Sequence, residues 1–351
     1  MSPYDPNTLW NMYPHRLIAE GVHYRDMLDL QTRVKTFDQW SPAWSEFAEA
    51  ARERGENAIK GGFKATAGAE LSRASLYYFF AQFVNWHNPS AKREVYMRCA
   101  ETFARASVYL DPPQQRVEIP YQGTTMPGYL RLPRGAKKPP LIILLGGLDT
   151  TKEEQLVISN LCIQRGLATL AFDGPGQGET FYKFKMSFEF EKALFAVFDF
   201  AERLSEIDRD RLGIIGRSMG GYYGPRIAAL DKRVKAVVAW GAMFKLDIDK
   251  LPDLTVDGLI YVSGSKNRQS VRGFIESINL SDVADKITCP LMIVHGGLDH
   301  ITPTENMTMM KDHAKGPVEI VYWPDSVHCG HDRSHICRPA MADFMQKHLA
   351  S

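Results

Sequence analysis

The sequence predicts a helical N-terminal domain followed by a doubly wound α/β domain with a mostly parallel sheet. Residues 15–110 carry apolar residues at helical spacing and almost no strand signal. After Pro113 the pattern changes to short apolar strands that alternate with helices. Repeated strand–helix units build parallel sheets with helices on both faces. We therefore expect two domains, residues 1–112 and 113–351, separated at Pro112 and Pro113.

The helical region divides into four segments. Apolar residues recur at helical spacing from Leu17 to Leu30, and a second segment begins at the helix-start signature Ser41-Pro42. The third and fourth segments are expected at 70–86 and 89–110. The third contains the aromatic run from Tyr77 to Phe80, which first indicates core packing.

The residue pattern after Pro113 predicts eight strands and five helices. The run 141–145 is uninterrupted and apolar, which is typical of a strand buried on both faces. Residues 243–285 break the alternation, and we interpret them as an insertion near the site. Strands are expected at 117–121, 127–132, 141–145, 167–172, 211–215, 234–240, 291–294 and 318–322. Helices are expected at 152–165, 185–205, 218–230, 303–313 and 335–349.

The composition is that of an ordinary globular protein. Of the 351 residues 44% are hydrophobic and 24% charged, and the net charge is +1, so nothing indicates binding to nucleic acid or an anionic membrane. The N-terminus lacks the pattern of a signal peptide, and no stretch approaches the ~18 apolar residues of a membrane span. Five scattered cysteines suggest reduced thiols. We expect a cytoplasmic protein that binds a small molecule, but neither nucleic acid nor a membrane.

A nucleophile motif lies at one strand-to-helix turn. Residues Gly216 to Gly220 match G-x-S-x-G, with Ser218 at the centre. An apolar strand precedes the motif, and Gly221 and a helix follow it. This is the layout of the sharp turn that exposes a serine nucleophile at the tip of an α/β-hydrolase sheet. The alternative is an ordinary glycine-rich turn.

A serine nucleophile needs a base and an acid that orients the base. In this fold they follow in the order serine, acid, histidine. Asp299 lies just after the strand at 291–294, and His328 lies in the loop before the last helix. We therefore expect a triad of Ser218, Asp299 and His328. Asp325 as acid and His331 as base remain alternatives.

Two further interpretations concern the remaining histidines. His295 and His300 are expected to serve loop packing. A zinc site could be built from the stretch His328 to His331 with His335 and Cys337. Because no paired Cys-x-x-Cys element accompanies it and the triad uses His328, we expect no metal and no cofactor.

An oxyanion requires two backbone donors. One is expected to be the N–H of Met219, directly after the nucleophile. The other should come from the loop after the strand 141–145, where we favour the Leu148 N–H and next that of Gly147. A simple turn is the alternative for Gly146-Gly147.

Four strings together resemble one branch of the α/β-hydrolases. They run from Gly146 to Glu154, Phe172 to Glu179, Gly216 to Gly221 and His328 to His331. The branch contains carbon–carbon bond hydrolases of the 2,6-dihydroxypseudooxynicotine hydrolase type, fungal polyketide-shortening hydrolases and, more distantly, FrsA-like esterases. The resemblance is dense over 115–243 and 286–349 and looser over the helical region.

The resemblance implies a reaction and a pocket. It implies cleavage of a carbon–carbon bond next to a carbonyl in an aromatic or polyketide-like ketone, with a homodimer as the usual assembly. The same apparatus hydrolyses aromatic esters and amides, which is the alternative, and an inactive binding protein is a third. Helices of the N-terminal region are implied to cover the active site. The resemblance also implies an acidic substrate contact soon after the strand that ends near Trp240; Asp247 is the candidate, and a solvated surface acid is the alternative for it. Gly147 and Tyr222 are further candidates for substrate binding.

Overall fold

The structure is a computed structural model that describes residues 4–187 and 189–349. The chain divides into two compact units, Met1–Gln115 and Arg116–Ser351. In the described residues no helix is both long enough and apolar enough to cross a membrane.

The first unit is helical. Small residues allow its longest helices to pack closely: a Cβ on Gly55 would lie 2.7 Å from Cγ of Leu71. The aromatic run of the third predicted segment is buried here, with the rings of Trp44 and Phe80 5.4 Å apart and the Trp40 indole N–H donating to the Phe80 carbonyl over 2.7 Å. The helices of this unit are α1 Pro6–Met12, α2 Pro14–Glu20, α3 Tyr24–Arg33, α4 Trp40–Lys60, α5 Lys64–Ala81 and α6 Pro89–Ser107.

The second unit is built on an eight-stranded sheet with the order β1-β2-β4-β3-β5-β6-β7-β8. β2 pairs with β4 in antiparallel fashion, whereas the pairs from β4 through β8 are parallel. The strands are β1 Gln114–Tyr121, β2 Thr124–Arg131, β3 Pro140–Leu145, β4 Ala168–Phe172, β5 Asp208–Arg217, β6 Val234–Trp240, β7 Leu291–Gly296 and β8 Val318–Trp323. The predicted α/β-hydrolase architecture is therefore confirmed.

Both faces of this sheet are covered. Ile143 and Leu145 of β3 belong to one buried cluster, and Ile142 and Leu144 belong to the other. Alternate residues of a strand point to opposite faces, so β3 is buried on both sides, as its uninterrupted apolar run predicts. The helices are α7 Leu156–Ile163, α8 Glu191–Ala201, α9 Gly220–Leu230, α10 Asp253–Ser263, α11 Arg268–Ser277, α12 Glu305–His313 and α13 Ser334–Leu349.

The helix predicted at 185–205 is shorter in the structure. It spans only Glu191–Ala201. The Met186 N–H donates to the Val262 carbonyl of α10 over 2.8 Å, and the Phe184 carbonyl accepts from the Gly176 N–H over 2.9 Å. These tertiary hydrogen bonds hold Phe184 and Met186 in a loop, which the local apolar pattern could not indicate.

The segment 243–285 contains α10 and α11. Their inner faces contribute Val256, Leu259, Val271 and Ile275 to the buried core of the second unit. Since these helices share that core, the segment is an integral part of the second unit.

The strand order determines where a site can form. The chain passes from β3 to β4 on one side of β3 and later places β5 on its other side. Loops that leave β3 and β5 therefore diverge and open a crevice at the carboxyl ends of the strands. Ser218 follows β5 and Gly147 follows β3, so both residues lie at this crevice.

Candidate active site

Ser218 occupies a strained turn between β5 and α9. Its φ is 55°, a left-handed value that non-glycine residues rarely adopt. The turn needs small neighbours, because a Cβ on Gly216 would lie 2.0 Å from the Gly220 carbonyl oxygen and one on Gly220 would lie 2.7 Å from the Leu145 carbonyl oxygen. The Ser218 N–H donates to the Trp240 carbonyl of β6 over 2.7 Å. Sheet and helix together thus hold the serine at the tip of β5.

His328 connects Ser218 to Asp299. Its Nε2 lies 2.9 Å from the Ser218 Oγ, and its Nδ1 lies 2.6 Å from an Asp299 Oδ. A carboxylate only accepts hydrogen bonds, so Nδ1 carries the proton and Nε2 is left to accept from the serine hydroxyl. This arrangement allows His328 to remove the hydroxyl proton during an attack by Ser218.

Asp299 is oriented by donors from its own loop. One carboxylate oxygen accepts from the backbone N–H groups of Ile301 and Thr302 over 2.9 and 2.8 Å. The other accepts from the Thr302 hydroxyl over 2.7 Å as well as from His328. Burial raises the pKa of Asp299, but the His328 charge and these hydrogen bonds outweigh burial and lower the pKa to about 2. Asp299 is therefore ionised at neutral pH.

The contact between His328 and Asp299 also changes the pKa of His328. Burial lowers it, whereas the Asp299 carboxylate raises it more strongly, so that the pKa lies well above its ordinary value. Activity that needs neutral His328 should consequently fall on the acid side as this group gains a proton.

The loop that carries His328 is tied to the loop that carries Asp299. The Leu298 N–H donates to the Ser326 carbonyl over 2.9 Å. Asp332 accepts from the Ser326 hydroxyl over 2.6 Å and from the Val327 N–H over 3.1 Å. A Cβ on Gly297 would lie 2.3 Å from the Pro324 carbonyl oxygen, so this close approach requires glycine.

The alternative acid and base lie in other surroundings. Asp325 forms an ion pair of 2.6 Å with Arg333, and its side chain is 70% exposed. The ring of His331 packs against Trp240, with 5.7 Å between centroids. His295 is buried at the end of β7, and His300 is exposed. Within residues 4–187 and 189–349, no group of three or more His, Cys, Asp or Glu side chains is arranged to hold a metal ion.

The loop after β3 runs directly beside the serine. A Cβ on Gly147 would lie 3.1 Å from the Ser218 Cβ and 3.4 Å from the Arg217 carbonyl oxygen. The backbone at Gly147 therefore comes close to the serine, Leu148 follows Gly147 in the chain, and Met219 follows Ser218 as the N-cap residue of α9. These are the positions expected for the two oxyanion donors.

A buried cluster of charges fastens this loop to the loop after β4. The Lys152 side chain is fully buried and lies 2.6 Å from Glu153, 2.7 Å from Asp173 and 3.3 Å from Glu179. Arg116 adds a second cation through two hydrogen bonds to Glu179 of 3.0 and 2.6 Å. Burial opposes the charge of Lys152, but the carboxylates raise its pKa well above the ordinary value. Lys152 is therefore charged, and it links the two loops.

Arg217, the residue before the nucleophile, also holds the loop after β3. Its guanidinium donates to the Thr150 hydroxyl over 2.8 Å and to Glu154 over 2.7 Å. Sequence reasoning assigned no role to this arginine, nor to Lys152, Gln177, Thr302 or Asp332. The first three lie inside strings that resemble the α/β-hydrolase branch, which is the one signal that points to them.

The two side chains considered for substrate binding have different environments. Asp247 is exposed, accepts from the Asp249 N–H over 3.1 Å, and lines an open cavity of about 890 Å³ together with Asn306 and Met309. Tyr222 is buried on α9, and its hydroxyl lies 3.4 Å from the Ser277 carbonyl oxygen. Tyr222 therefore occupies a core position, whereas Asp247 lines an open cavity whose lining residues do not include Ser218, Asp299 or His328.

Comparison with known proteins gives consistent matches. The family model described as "Esterase FrsA-like" matches residues 26–277. The 2,6-dihydropseudooxynicotine hydrolase of Paenarthrobacter nicotinovorans is 34% identical over 94% of this chain and 90% of its own length. A hydrolase of a Fusarium species, LUC6, is 29% identical over 91% of this chain and 90% of its own length. The crystal structure of 2,6-dihydroxy-pseudo-oxynicotine hydrolase superposes with a TM-score of 0.89 at 33% identity and covers 95% of each chain.

Proposed function

We propose a serine-hydrolase mechanism for this protein, which belongs to the FrsA-like esterase family and has the α/β-hydrolase fold. Ser218 is the nucleophile, His328 the general base and Asp299 the group that orients His328. The observation that carries the proposal is the continuous contact from Ser218 through His328 to Asp299, at 2.9 and 2.6 Å. The resemblance in sequence and the full-length structural match to a hydrolase support the same reading.

The proposed reaction proceeds through an acyl-enzyme. The Ser218 Oγ attacks a carbonyl carbon while His328 takes the hydroxyl proton. The carbonyl oxygen becomes an oxyanion, and the backbone N–H groups of Met219 and Leu148 stabilise it. Collapse of this intermediate breaks the bond to the leaving group, which takes the proton from His328. A water molecule, activated by His328, then releases the carboxylic acid and restores the serine.

The leaving atom distinguishes two reactions. In a ketone the leaving group is a carbanion, which is tolerable only where a neighbouring carbonyl or phenolic ring delocalises the charge. We propose this reaction, hydrolysis of a carbon–carbon bond in an aromatic or polyketide-like ketone, because the chain resembles carbon–carbon bond hydrolases. The description of the matching family as esterases favours a second candidate, the hydrolysis of an aromatic ester or amide.

The first unit is proposed to cover the site. The sheet of an α/β-hydrolase leaves its nucleophile open to water, and excluding water strengthens the interaction of the oxyanion with its donors. Residues 1–112 are a segment large enough for this task. Assembly as a homodimer and a cytoplasmic location are proposed on the resemblance and on the scattered cysteines. The five cysteines are all free thiols, and four of them are buried.

A substrate panel tests the proposal. Rates are compared for aryl β-diketones, aryl esters and aryl amides with the wild-type protein, Ser218→Ala and Ser205→Ala, in which an exposed serine is replaced as the control. We expect Ser218→Ala to lose roughly 10⁴-fold or more, because triad residues act as a unit. We expect Ser205→Ala to match the wild type. A Ser218→Ala protein that keeps a tenth of the rate rules out the assignment, and a preference for aryl esters over diketones selects the second candidate.

A further inference from the structure

The loop after β4 carries a buried amide side chain that the proposed mechanism does not use. Gln177 is 4% exposed, and both ends of its amide are hydrogen bonded. Its Oε1 accepts from the Gly174 N–H over 3.2 Å, and its Nε2 donates to the Gly147 carbonyl over 2.7 Å. The Gln177 side chain thus bridges the loop after β4 to the loop beside Ser218.

The orientation of this amide is determined by its partners. A backbone N–H can only donate, so the end of Gln177 that faces Gly174 must be the oxygen. The NH₂ group is then directed at the Gly147 carbonyl, which can only accept. The Gln177 N–H also donates to the Gly174 carbonyl over 2.9 Å, and this turn keeps the side chain in place.

The Gly147 carbonyl belongs to the same peptide unit as the Leu148 N–H. In a planar trans peptide the carbonyl and the N–H point in opposite directions. A hydrogen bond that holds the carbonyl toward Gln177 therefore turns the Leu148 N–H away from Gln177. Gly147 itself is in contact range of Ser218, since a Cβ there would lie 3.1 Å from the Ser218 Cβ. Without the bond from Gln177, the peptide could rotate and the N–H would lose its direction.

We infer that Gln177 is a positioning residue that fixes the Leu148 N–H as an oxyanion donor. The inference rests on the proposed serine-hydrolase function, because an oxyanion forms only if Ser218 attacks. The amide acts on the rate through the peptide that it holds and does not touch the reacting atoms. Stabilisation by a preorganised donor requires that the donor be directed at the oxyanion before the charge develops.

A merely structural role for Gln177 would have a different signature. Thr180 provides the matched control because it is buried in the same loop and its hydroxyl donates to the Asp173 carbonyl over 2.7 Å. Thr180→Val removes one buried hydrogen bond of the loop and leaves the bond to Gly147 intact. Gln177→Met removes both amide hydrogen bonds at nearly constant volume. Gln177→Glu keeps an acceptor for the Gly174 N–H but places an oxygen against the Gly147 carbonyl.

The experiment measures how fast a fluorophosphonate probe labels Ser218, since the phosphoryl oxygen enters the oxyanion site and no natural substrate is needed. Removal of an oxyanion donor costs about 10²–10³ in rate, and a donor that remains but is misdirected should cost less. At pH 8 we expect Gln177→Met and Gln177→Glu to label about 10- to 100-fold more slowly than the wild type, and Thr180→Val to label within threefold of it. The acid limb of the labelling rate, which follows His328, should not move in the Gln177 variants.

The outcomes separate a failure of this inference from a failure of the proposed function. Labelling of a folded Gln177 variant within threefold of the wild type overturns the inference, as does an equal loss in Thr180→Val. If Gln177→Met does not fold, the labelling rate of Gln177→Glu is compared with that of the wild type by the same threefold criterion. Labelling of Ser218→Ala at the wild-type rate would instead refute the serine-hydrolase proposal itself, whatever the Gln177 variants do.

Discussion

Replacement of Lys152 by Met tests whether the buried charges hold the two loops beside Ser218. The Lys152 and Asp173 side chains are fully buried, and that of Glu153 is 2% exposed. Removal of the cation leaves these carboxylates without the positive charge of Lys152, in a medium that solvates them poorly. Breaking a buried ion pair in this way costs about 3–5 kcal/mol. In a unit of this size each kcal/mol lowers the melting temperature by about 2–4 °C, so a fall of about 6–20 °C is expected.

The pH dependence of this loss has a definite sign. Burial already raises the pKa of Glu153, and Lys152 opposes that rise, so removal of Lys152 moves the pKa of Glu153 further above that of the unfolded chain. Carboxyl groups shifted upward stabilise the folded state below the unfolded pKa and lose that contribution as the pH rises through the folded pKa. The stability deficit of Lys152→Met should therefore be larger at pH 8 than at pH 5.

Calorimetry at the two pH values provides the measurement. Lys347→Met is the matched control, because Lys347 pairs with Glu319 at 2.6 Å but its side chain is 63% exposed. Exposed ion pairs contribute less than about 1 kcal/mol, so this control should melt close to the wild type. The role of the cluster is refuted if Lys152→Met has the same melting temperature as Lys347→Met, or if its loss of stability is not smaller at pH 5 than at pH 8.

Two further predictions concern the triad and the first unit. Asp299→Asn should lower the turnover rate roughly 10⁴-fold through the wrong histidine tautomer. The pKa of His328 should also fall in Asp299→Asn, which moves the acid limb of the pH–rate profile to lower pH. Asp325→Asn should change neither the turnover rate nor the acid limb. If Asp299→Asn loses less than tenfold and Asp325→Asn loses much more, Asp325 is the residue that orients His328. The fragment 113–351 should turn over the preferred substrate far more slowly than the full chain, and a soluble fragment with the full rate would contradict the covering role of residues 1–112.

Much of the fold could be predicted because its signals are local. The apolar run of β3 and the glycines around Ser218 are consecutive in the chain, and the strands lie within a few residues of their expected bounds. The helix predicted at 185–205 fails because hydrogen bonds from Met186 to Val262 and from Gly176 to Phe184 override the helical pattern. Val262 is far from Met186 in the sequence and Gly176 precedes the predicted helix, so neither partner appears in the apolar periodicity of residues 185–205.

The charged cluster was beyond the reach of sequence reasoning for a similar reason. The run Lys152-Glu153-Glu154 has the composition of a solvated helix start, yet all three residues are buried. Of their partners, Asp173 directly follows β4 and Arg217 is the last residue of β5, so the sheet topology alone brings the charges together. The triad of Ser218, Asp299 and His328 could be predicted, in contrast, because each residue lies after a strand that the apolar pattern predicts.

The central proposal is that Ser218 is the nucleophile, and mass spectrometry of the fluorophosphonate-treated protein tests it most directly. The protein is incubated with the probe, its intact mass is measured, and it is then digested into peptides. We expect one adduct per chain on the peptide that contains Ser218, faster labelling as the pH rises through the pKa of His328, and no adduct in Ser218→Ala. An adduct on another residue, or a protein that hydrolyses its substrate at the full rate after Ser218 is replaced, would contradict the proposal.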